Sequence, residues 1–372
     1  MSEIAVNSTS RSVNYAKLLA ESFMANGFVL ALAAFALLAN QIVFAFYPQQ
    51  ASISFLSILK SFCFISLPFG LTLVLVARTV ELIVHVKPTH PIAVLRSDLA
   101  RVTTNPAYII NGLPVMLALL LFSKATLEFK PEIPFINGFK WDETFVLWDR
   151  ALHMGIDPWR IVQVFMGHPI ITFIANMTYS LWVLILTGIW VFVAFHRKPN
   201  VIHTRFVISF MLTWWIGGCV MALIFSSAGP AFYGRLGLTS PDPYADLLVY
   251  LNSIHNEFPM WVTQTQDKLW NGYIGTTQPL GLSAFPSMHN ASAVLFALMF
   301  CHVSKGWGRF FNAYAILIFL TSVHLGWHYA VDGYMGAIVA FACWHAANPL
   351  ARWVHRCPAM SRFEEGLAAL QP

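Results

Sequence analysis

The sequence predicts an all-α fold, a polytopic bundle of about eight transmembrane helices with amphipathic helices lying in the membrane interface. Three observations favour this class. Hydrophobic residues make up 57% of the 372 residues and charged residues only 10%, whereas a soluble domain carries about 25% charged residues. Aromatic residues reach 15% and include 13 Trp, as is typical where rings anchor helices at both membrane interfaces. The apolar residues also form runs of about 20 residues, the length that crosses a bilayer as a helix.

The apolar runs define the elements in chain order. They cover residues 27–47, 53–76, 106–125, 169–195, 206–225, 286–303, 310–326 and 329–346. The third run contains Pro114, which removes one helical hydrogen bond. We therefore expect one membrane domain over residues 27–348, with its motif-bearing part at 226–348. A polar cytoplasmic N-terminus (1–26), frayed over its first 13 residues, precedes it, and a cytoplasmic tail (349–372) follows it.

The basic residues predict the orientation of the bundle. If the N-terminus is cytoplasmic, most of the 22 Lys and Arg lie in cytoplasmic segments. The positive-inside rule then favours a cytoplasmic N-terminus and a cytoplasmic C-terminus. The formal net charge of +5 is accounted for by this topology, so we expect no nucleic-acid partner. Short loops favour a bacterial inner (plasma) membrane.

Two long segments fall on the outer side. Residues 126–168 alternate Trp-Asp and Asp-Pro-Trp sequences with apolar residues, which predicts short helices lying in the interface. Residues 228–285 include a predicted helix at 245–258 and then Trp261 and Trp270. Loops of this length between membrane helices often contact substrate. The five cysteines lie in apolar runs or in the tail without paired spacing, which disfavours a disulfide framework and a zinc site.

Ionisable residues inside spans are costly and mark functional sites, and here they concentrate in the last third of the chain. His289 opens the sixth span, with Pro286 in the first helical turn and free amides around Ser287 that suit an anion. His328 and Asp332 are four apart and share a face if they lie on one helix. A short cytoplasmic turn joins the sixth and seventh spans, so topology places these groups together at the outer surface.

This arrangement predicts a mechanism. A carboxylate that accepts one imidazole N–H fixes the ring and leaves the other nitrogen as a nucleophile. Attack on phosphorus would form a phosphohistidine and split one difficult displacement into two steps. A second histidine can protonate the departing oxygen and later deprotonate the incoming hydroxyl.

At these residues the chain resembles the type 2 phosphatidic acid phosphatase superfamily. The second motif of that superfamily is Pro-Ser-x-His, here residues 286–289, and its third motif ends in His-x-x-x-Asp, here residues 328–332. The resemblance implies that His328 is the nucleophile, Asp332 orients it, His289 is the acid and base, and Ser287 contacts phosphate. It also implies a metal-independent enzyme that uses no cofactor.

The chain departs from that pattern at the arginines. No Arg-Pro pair occurs anywhere, so the first motif is absent, and the Ser-Arg that opens the third motif falls on Thr321 and Ser322. With the His-Tyr-x-x-Asp retained, the pattern is more similar to a lipid phosphotransferase branch that includes fungal inositol-phosphorylceramide synthase and sphingomyelin synthase. That likeness implies membrane lipids as partners: a phospholipid donor of an inositol-phosphate-like head group, and a lipid hydroxyl acceptor. By position, Arg235, Tyr233 and His324 are candidates to bind the phosphate.

Three alternatives stay open. Capture of the same intermediate by water would make the protein a lipid or polyprenyl phosphate phosphatase. A transporter predicts charges through the whole bilayer depth and an internal repeat, whereas the key groups cluster at one face and no repeat is visible. A zinc hydrolase is possible because His-x-x-x-Asp can ligate zinc with His289 or His324 as a third ligand. A chelator would abolish the activity of a zinc hydrolase. We predict that a chelator leaves the activity of this protein intact.

Overall fold

The computed structural model describes residues 14–47, 49–50 and 52–370. The predicted frayed segment, residues 1–13, lies outside these described residues. Within them the chain is helical, with 78% helix and no strand. The predicted all-α class is confirmed.

The described helices follow one another with short connections. In chain order they are α1 Tyr15–Ala25, α2 Gly27–Phe46, α3 Phe55–Ser61, α4 Leu67–Glu81, α5 Pro91–Thr104, α6 Ala107–Phe129, α7 Ile133–Ile136, α8 Asp142–Leu152, α9 Pro158–Met166, α10 Pro169–Ser180, α11 Trp182–Ala194, α12 Val201–Trp215, α13 Ala222–Ile224, α14 Ala245–Glu257, α15 Trp261–Tyr273, α16 Met288–Phe300, α17 Lys305–His324, α18 Ala330–Arg356 and α19 Pro358–Ala368. Single π-helical turns at Phe62–Ser66 and Ile216–Met221 continue α3 into α4 and α12 into α13 without a break.

The long helices make this an integral membrane protein. In the described part of the chain, five are long and apolar enough to cross a bilayer: Gly27–Phe46, Phe55–Val84, Ala107–Ile136, Pro169–Ala194 and Val201–Ile224. They correspond to the first five predicted spans. Helices α17 and α18 have 20 and 27 residues, enough for a bilayer of about 30 Å at a rise of about 1.5 Å per residue.

Two helix starts differ from the sequence prediction. Helix α16 begins at Met288, and Ser287 is its N-cap, so Pro286 precedes the helix instead of lying in its first turn. The Ser287 N–H also donates to the Asp332 carbonyl at 2.9 Å, so this amide is not free for an anion. Helix α18 begins at Ala330, after His328. The Asp332 carboxylate accepts the Tyr329 N–H at 3.0 Å and so caps the N-terminus of the helix at Tyr329. His328 therefore lies on a loop before the helix that carries Asp332.

Close packing joins the starts of α16 and α18. A Cβ added at Gly336 would lie 2.5 Å from the Ser287 carbonyl oxygen, so α18 can approach the start of α16 only because this residue is glycine. Helix α17 runs antiparallel to α16 and ends at His324, where Gly326, with φ of 71°, turns the chain toward His328. The start of α16, the end of α17 and the start of α18 thus meet at one end of the bundle.

Short helices cover this end. Gln266 of α15 donates to the Leu325 carbonyl at 3.1 Å, and Trp159 of α9 donates to the Pro243 carbonyl at 3.2 Å. Helices α8 and α9 also expose large apolar side chains, among them Leu147, Val164 and Phe165. This distribution is typical of helices that lie in a membrane interface, as the sequence predicts for residues 126–168.

The opposite end is closed by the terminal helices. Leu18 of α1 packs with Met360 and Phe363 of α19 in a buried cluster. Helix α18 continues to Arg356, past the predicted end of the last span at residue 346. The segment predicted as a polar N-terminus therefore includes a packed helix from Tyr15 onward.

Candidate active site

Two imidazoles face each other at the covered end of the bundle. His289 lies in the first turn of α16 and His328 lies on the loop between α17 and α18. Their ring centroids are 6.1 Å apart. This separation allows one tetrahedral phosphorus to lie within about 3–3.5 Å of a nitrogen of each ring, the range of a reactive approach. The structure thus brings together the two histidines that the motifs single out.

Asp332 orients the loop histidine. Its Oδ2 lies 3.3 Å from His328 Nδ1 and also accepts the Tyr329 N–H at 3.0 Å. A carboxylate at this position favours the tautomer with the proton on Nδ1, which leaves Nε2 with a free lone pair. Asp332 is fully buried, so this carboxylate is kept away from solvent.

Asp149 of α8 holds the start of α18 from outside that helix. Its carboxylate accepts the N–H groups of Ala330 and Val331, each at 2.9 Å. Burial raises the pKa of the Asp149 carboxyl to about 7. The hydrogen bonds from the two N–H groups lower this pKa but do not offset the effect of burial. An acidic side chain at a helix N-terminus also interacts favourably with the helix dipole. Asp149 therefore positions the backbone on which Asp332 and His328 are carried.

Asp142, at the start of the same helix, bonds a second loop, which contains Ala228 and Gly229, to the site. It accepts the N–H groups of Ala228 and Gly229 and, at 2.8 Å, the hydroxyl of Tyr329. Burial raises the pKa of the Asp142 carboxyl, and its hydrogen bonds oppose that rise. Both α8 carboxylates are only 2% exposed. The local sequence does not indicate this role, because the partners of both carboxylates are far away in the chain.

A glycine lets the second loop reach the histidine loop. Gly229 has φ of 101°, and a Cβ there would lie 2.8 Å from the Trp327 carbonyl oxygen. The Ala231 N–H then donates to the Gly326 carbonyl at 2.9 Å. The Gly-Pro sequence at residues 229–230 is therefore needed for close contact with the loop that carries His328.

Aromatic rings enclose the second histidine. Tyr179 stacks on His289 with ring centroids 4.4 Å apart, and Trp182 lies 4.2 Å from the same ring. Trp327 stacks beyond Tyr179 at 6.3 Å. Sequence reasoning missed Tyr179 and Trp182 because they lie within an apolar span, where an aromatic residue carries no signal of function. They make the surroundings of His289 apolar and shield it from water.

Ser287 Oγ already accepts a hydrogen bond within the protein. Its Oγ accepts from the side chain of Asn290 at 2.9 Å, and the same Asn290 amide lies 3.2 Å from Ser322 Oγ. The predicted contact of Ser287 with phosphate stays a prediction, and it requires Oγ to bond a ligand in addition to Asn290.

The three residues predicted by position to bind phosphate have other partners. Arg235 is exposed and bonds Asp267 at 2.6 Å. Tyr233 is buried and packs on Tyr244 at 5.8 Å. His324 is buried and bonds Thr172 Oγ1 at 2.9 Å. Across the part of the chain that the structure describes, no hydrogen bond or ring contact joins these three to the histidine pair, and their role stays a prediction.

The residues that could hold a metal are scattered. Within residues 14–47, 49–50 and 52–370, no group of three or more His, Cys, Asp or Glu side chains is arranged to hold an ion. His289, His328 and Asp332 therefore do not form a ready three-ligand zinc site of the kind that metal hydrolases use.

Comparison with known families agrees with this geometry. A family model described as the PAP2 superfamily matches residues 143–346, more than half of the chain, and the match includes His289, His328 and Asp332. No curated protein and no solved structure matches the chain significantly. A bundle of membrane helices with this site defines a membrane-embedded enzyme of the phosphatase or phosphotransferase type that acts on lipids. The chain belongs to the PAP2 superfamily.

Proposed function

We propose that the protein is a lipid phosphotransferase that moves a phosphorylated, inositol-phosphate-like head group from a phospholipid to a lipid hydroxyl through a phosphohistidine on His328. The observation that carries this proposal is the imidazole of His328, oriented by Asp332 at 3.3 Å and facing His289 with ring centroids 6.1 Å apart. A two-step displacement needs an oriented nucleophile and a separate proton-transfer group, both within reach of the same phosphorus atom.

In the first step, Nε2 of His328 attacks the phosphorus of the donor lipid. The bond between phosphorus and the diacylglycerol oxygen breaks, and the electron pair leaves with that oxygen. His289, protonated beside the bound anionic phosphate, gives its proton to the leaving oxygen. The products are diacylglycerol and a head-group phosphoryl bonded to His328.

In the second step, the neutral His289 removes the proton from the hydroxyl of the acceptor lipid. The acceptor oxygen attacks phosphorus, the bond between phosphorus and nitrogen breaks, and its electron pair returns to His328. One phosphodiester has replaced another, and a proton has moved from acceptor to diacylglycerol. No redox partner is required.

The aromatic enclosure supports transfer over hydrolysis. The ring centroids of Tyr179 and Trp182 lie 4.4 Å and 4.2 Å from that of His289, so apolar rings limit the access of water to this imidazole. Because the apolar side chains of α8 and α9 face outward near the site, both lipid substrates could enter from the bilayer. By the distribution of basic residues, this end of the bundle faces the extracytoplasmic side of a plasma membrane.

The test is a mass-spectrometric product assay on detergent-purified protein in EDTA. Mixed anionic phospholipids are supplied with and without ceramide or diacylglycerol. His328→Ala is the inactive variant, and His345→Ala, an exposed histidine of α18, is its matched control. We expect a new phosphorylated lipid that needs the acceptor, persists in EDTA and in His345→Ala, and disappears in His328→Ala.

Other outcomes separate the alternatives. Release of phosphate or a free head group regardless of acceptor would show the phosphatase instead. Loss of activity in EDTA would show a metal hydrolase. Turnover that His328→Ala leaves unchanged would reject the histidine mechanism altogether.

A further inference from the structure

The phosphate in this site needs a positive charge that the family motifs do not supply here. A phosphodiester carries one negative charge, and further charge develops on its oxygens during displacement. The arginines of the family pattern are absent from the sequence. The basic residues of the predicted outer segments, Lys124, Lys130, Lys140, Arg150, Arg160, Arg235 and Lys268, differ in the partners that they have in the structure.

Most outer cations already have acidic partners. The pairs are Lys124 with Glu128, Arg150 with Asp157, Arg160 with Asp246, and Arg235 with Asp267. A cation compensated by a carboxylate binds a further anion weakly, because the substrate must compete with its partner. Two others, Lys140 and Lys268, have exposed side chains.

Lys130 is different. It follows α6 and is half-buried, yet within the described residues its ammonium group forms no hydrogen bond and no ion pair. Its positive charge acts electrostatically on the imidazoles of both His289 and His328. Burying part of a cation without an acidic partner costs free energy. An anionic ligand that enters the site would remove this cost.

Packing holds Lys130 at the site. Its Nζ lies 5.8 Å from the ring centroid of Trp214, which stacks on Trp182 at 6.1 Å, and Trp182 lies 4.2 Å from His289. On the other side, a Cβ at Gly281 would lie 2.9 Å from Lys130 Cβ, so the segment that leads to His289 passes directly against this lysine. Lys130 is thus connected to the second histidine through two rings and through the adjoining backbone.

A second observation also indicates a ligand. The Tyr179 hydroxyl and the Trp182 indole N–H are buried and have no partner within the described residues. Both groups belong to rings that pack on His289. Buried donors without partners are rare in folded proteins and call for an explanation. Phosphate oxygens are strong acceptors and would satisfy such donors.

We infer that Lys130 binds the phosphate of the substrate beside His289 and His328 and replaces the missing motif arginines. The inference rests on the proposed function for the identity of the ligand as a lipid phosphate. Lys130 also lies before the region that the family model matches, which begins at residue 143. It is therefore a substrate-binding residue that the family pattern does not identify.

The first arm of the test measures binding without turnover. Isothermal titration in detergent with orthovanadate, a phosphate analogue, compares wild type, Lys130→Met, Lys130→Arg and the exposed control Lys268→Met. Loss of one hydrogen bond to a charged group corresponds to a decrease in affinity of about 10- to 100-fold. We expect that decrease in Lys130→Met, partial retention in Lys130→Arg, and wild-type affinity in Lys268→Met. Thermal unfolding midpoints establish that each variant is folded.

The second arm measures turnover in the product assay. We expect Lys130→Met to lower kcat/KM by a similar factor and Lys130→Arg to restore part of it. Wild-type vanadate affinity in Lys130→Met, or no vanadate binding by the wild type, overturns the inference. If His328→Ala abolishes turnover while Lys130→Met leaves it intact, the lysine inference alone fails. If vanadate binding depends on Lys130 while His328→Ala leaves turnover unchanged, the proposed mechanism alone fails.

Discussion

The reactivity of His328 depends on a few neighbouring atoms. Asp332 Oδ2 contacts both the His328 ring and the Tyr329 N–H, so one carboxylate sets the orientation of this imidazole and the start of the helix behind it. Asp149 bonds the next two amides of that helix. Two buried carboxylates thus act on one helix start, and the charge of Asp332 adds to the rise in the pKa of Asp149.

Asp149 gives the protein a pH-dependent stability. Burial raises its pKa from 3.8 to about 7, with Asp332 adding to the rise and His153 opposing it. A carboxyl group whose pKa is raised on folding stabilises the fold when protonated, and this stabilisation is lost as the pH rises through the folded pKa. We expect the thermal unfolding midpoint to fall between about pH 4 and pH 7, the interval between the unfolded and folded pKa values, and to fall less in Asp149→Asn.

The matched control is Asp246→Asn, an exposed aspartate paired with Arg160. Unfolding is followed by intrinsic fluorescence at constant ionic strength across this pH range. If Asp149→Asn and Asp246→Asn show the same pH dependence as the wild type, Asp149 does not titrate as described.

At the scale of helices, the site depends on how closely α16 and α18 approach each other. Gly336 allows the contact, and the Ser287 N–H donates across it to the Asp332 carbonyl at 2.9 Å. The helix that carries His289 is thereby joined to the helix that carries Asp332. Any change that separates them moves the His289 ring away from the His328 ring.

Gly336→Ala should therefore impair both stability and turnover. Its Cβ would lie 2.5 Å from a backbone oxygen that cannot move independently, and overpacking of this kind costs about 1–3 kcal/mol. We expect a lower unfolding midpoint and reduced kcat. Gly27→Ala is the control, because a Cβ at the first residue of α2 meets nothing within 4 Å. Equal behaviour of the two variants would contradict the role assigned to Gly336.

The helices themselves could be predicted from the sequence, whereas their ends at the site could not. Apolar runs locate the spans because lipid requires them. The starts of α16 and α18 depend on capping by Ser287 and on the bonds of Asp332, which apolar periodicity does not reveal. Asp142 and Asp149 bond amides 86 and 181 residues away along the chain. No local pattern encodes a partner at that distance.

At the scale of the whole molecule, chain topology places the candidate catalytic groups together. His289 starts one helix, and His328 follows the antiparallel helix after it, so the motif residues meet for any packing of this helical pair. The order of the spans was enough to predict that result. The contribution of Lys130 was not predictable, because it depends on α6 packing beside a distant segment.

The orientation of the bundle is tested by labelling in intact cells. We expect a membrane-impermeant maleimide to label Thr277→Cys, at the covered end, without permeabilisation. Glu365→Cys in α19 should be labelled only after permeabilisation. Both replaced side chains are exposed, and the unmodified protein, with its five cysteines, gives the background. The reverse pattern would place the site on the cytoplasmic side.

The most direct test of the mechanism is to detect the covalent intermediate on His328. The protein is mixed with anionic phospholipids without acceptor, quenched rapidly at alkaline pH to preserve phosphohistidine, and digested for mass spectrometry. The account predicts that the His328 peptide carries the mass of a head-group phosphoryl, which disappears when acceptor lipid is added. Turnover with no adduct on His328, or with the adduct on another residue, would contradict it.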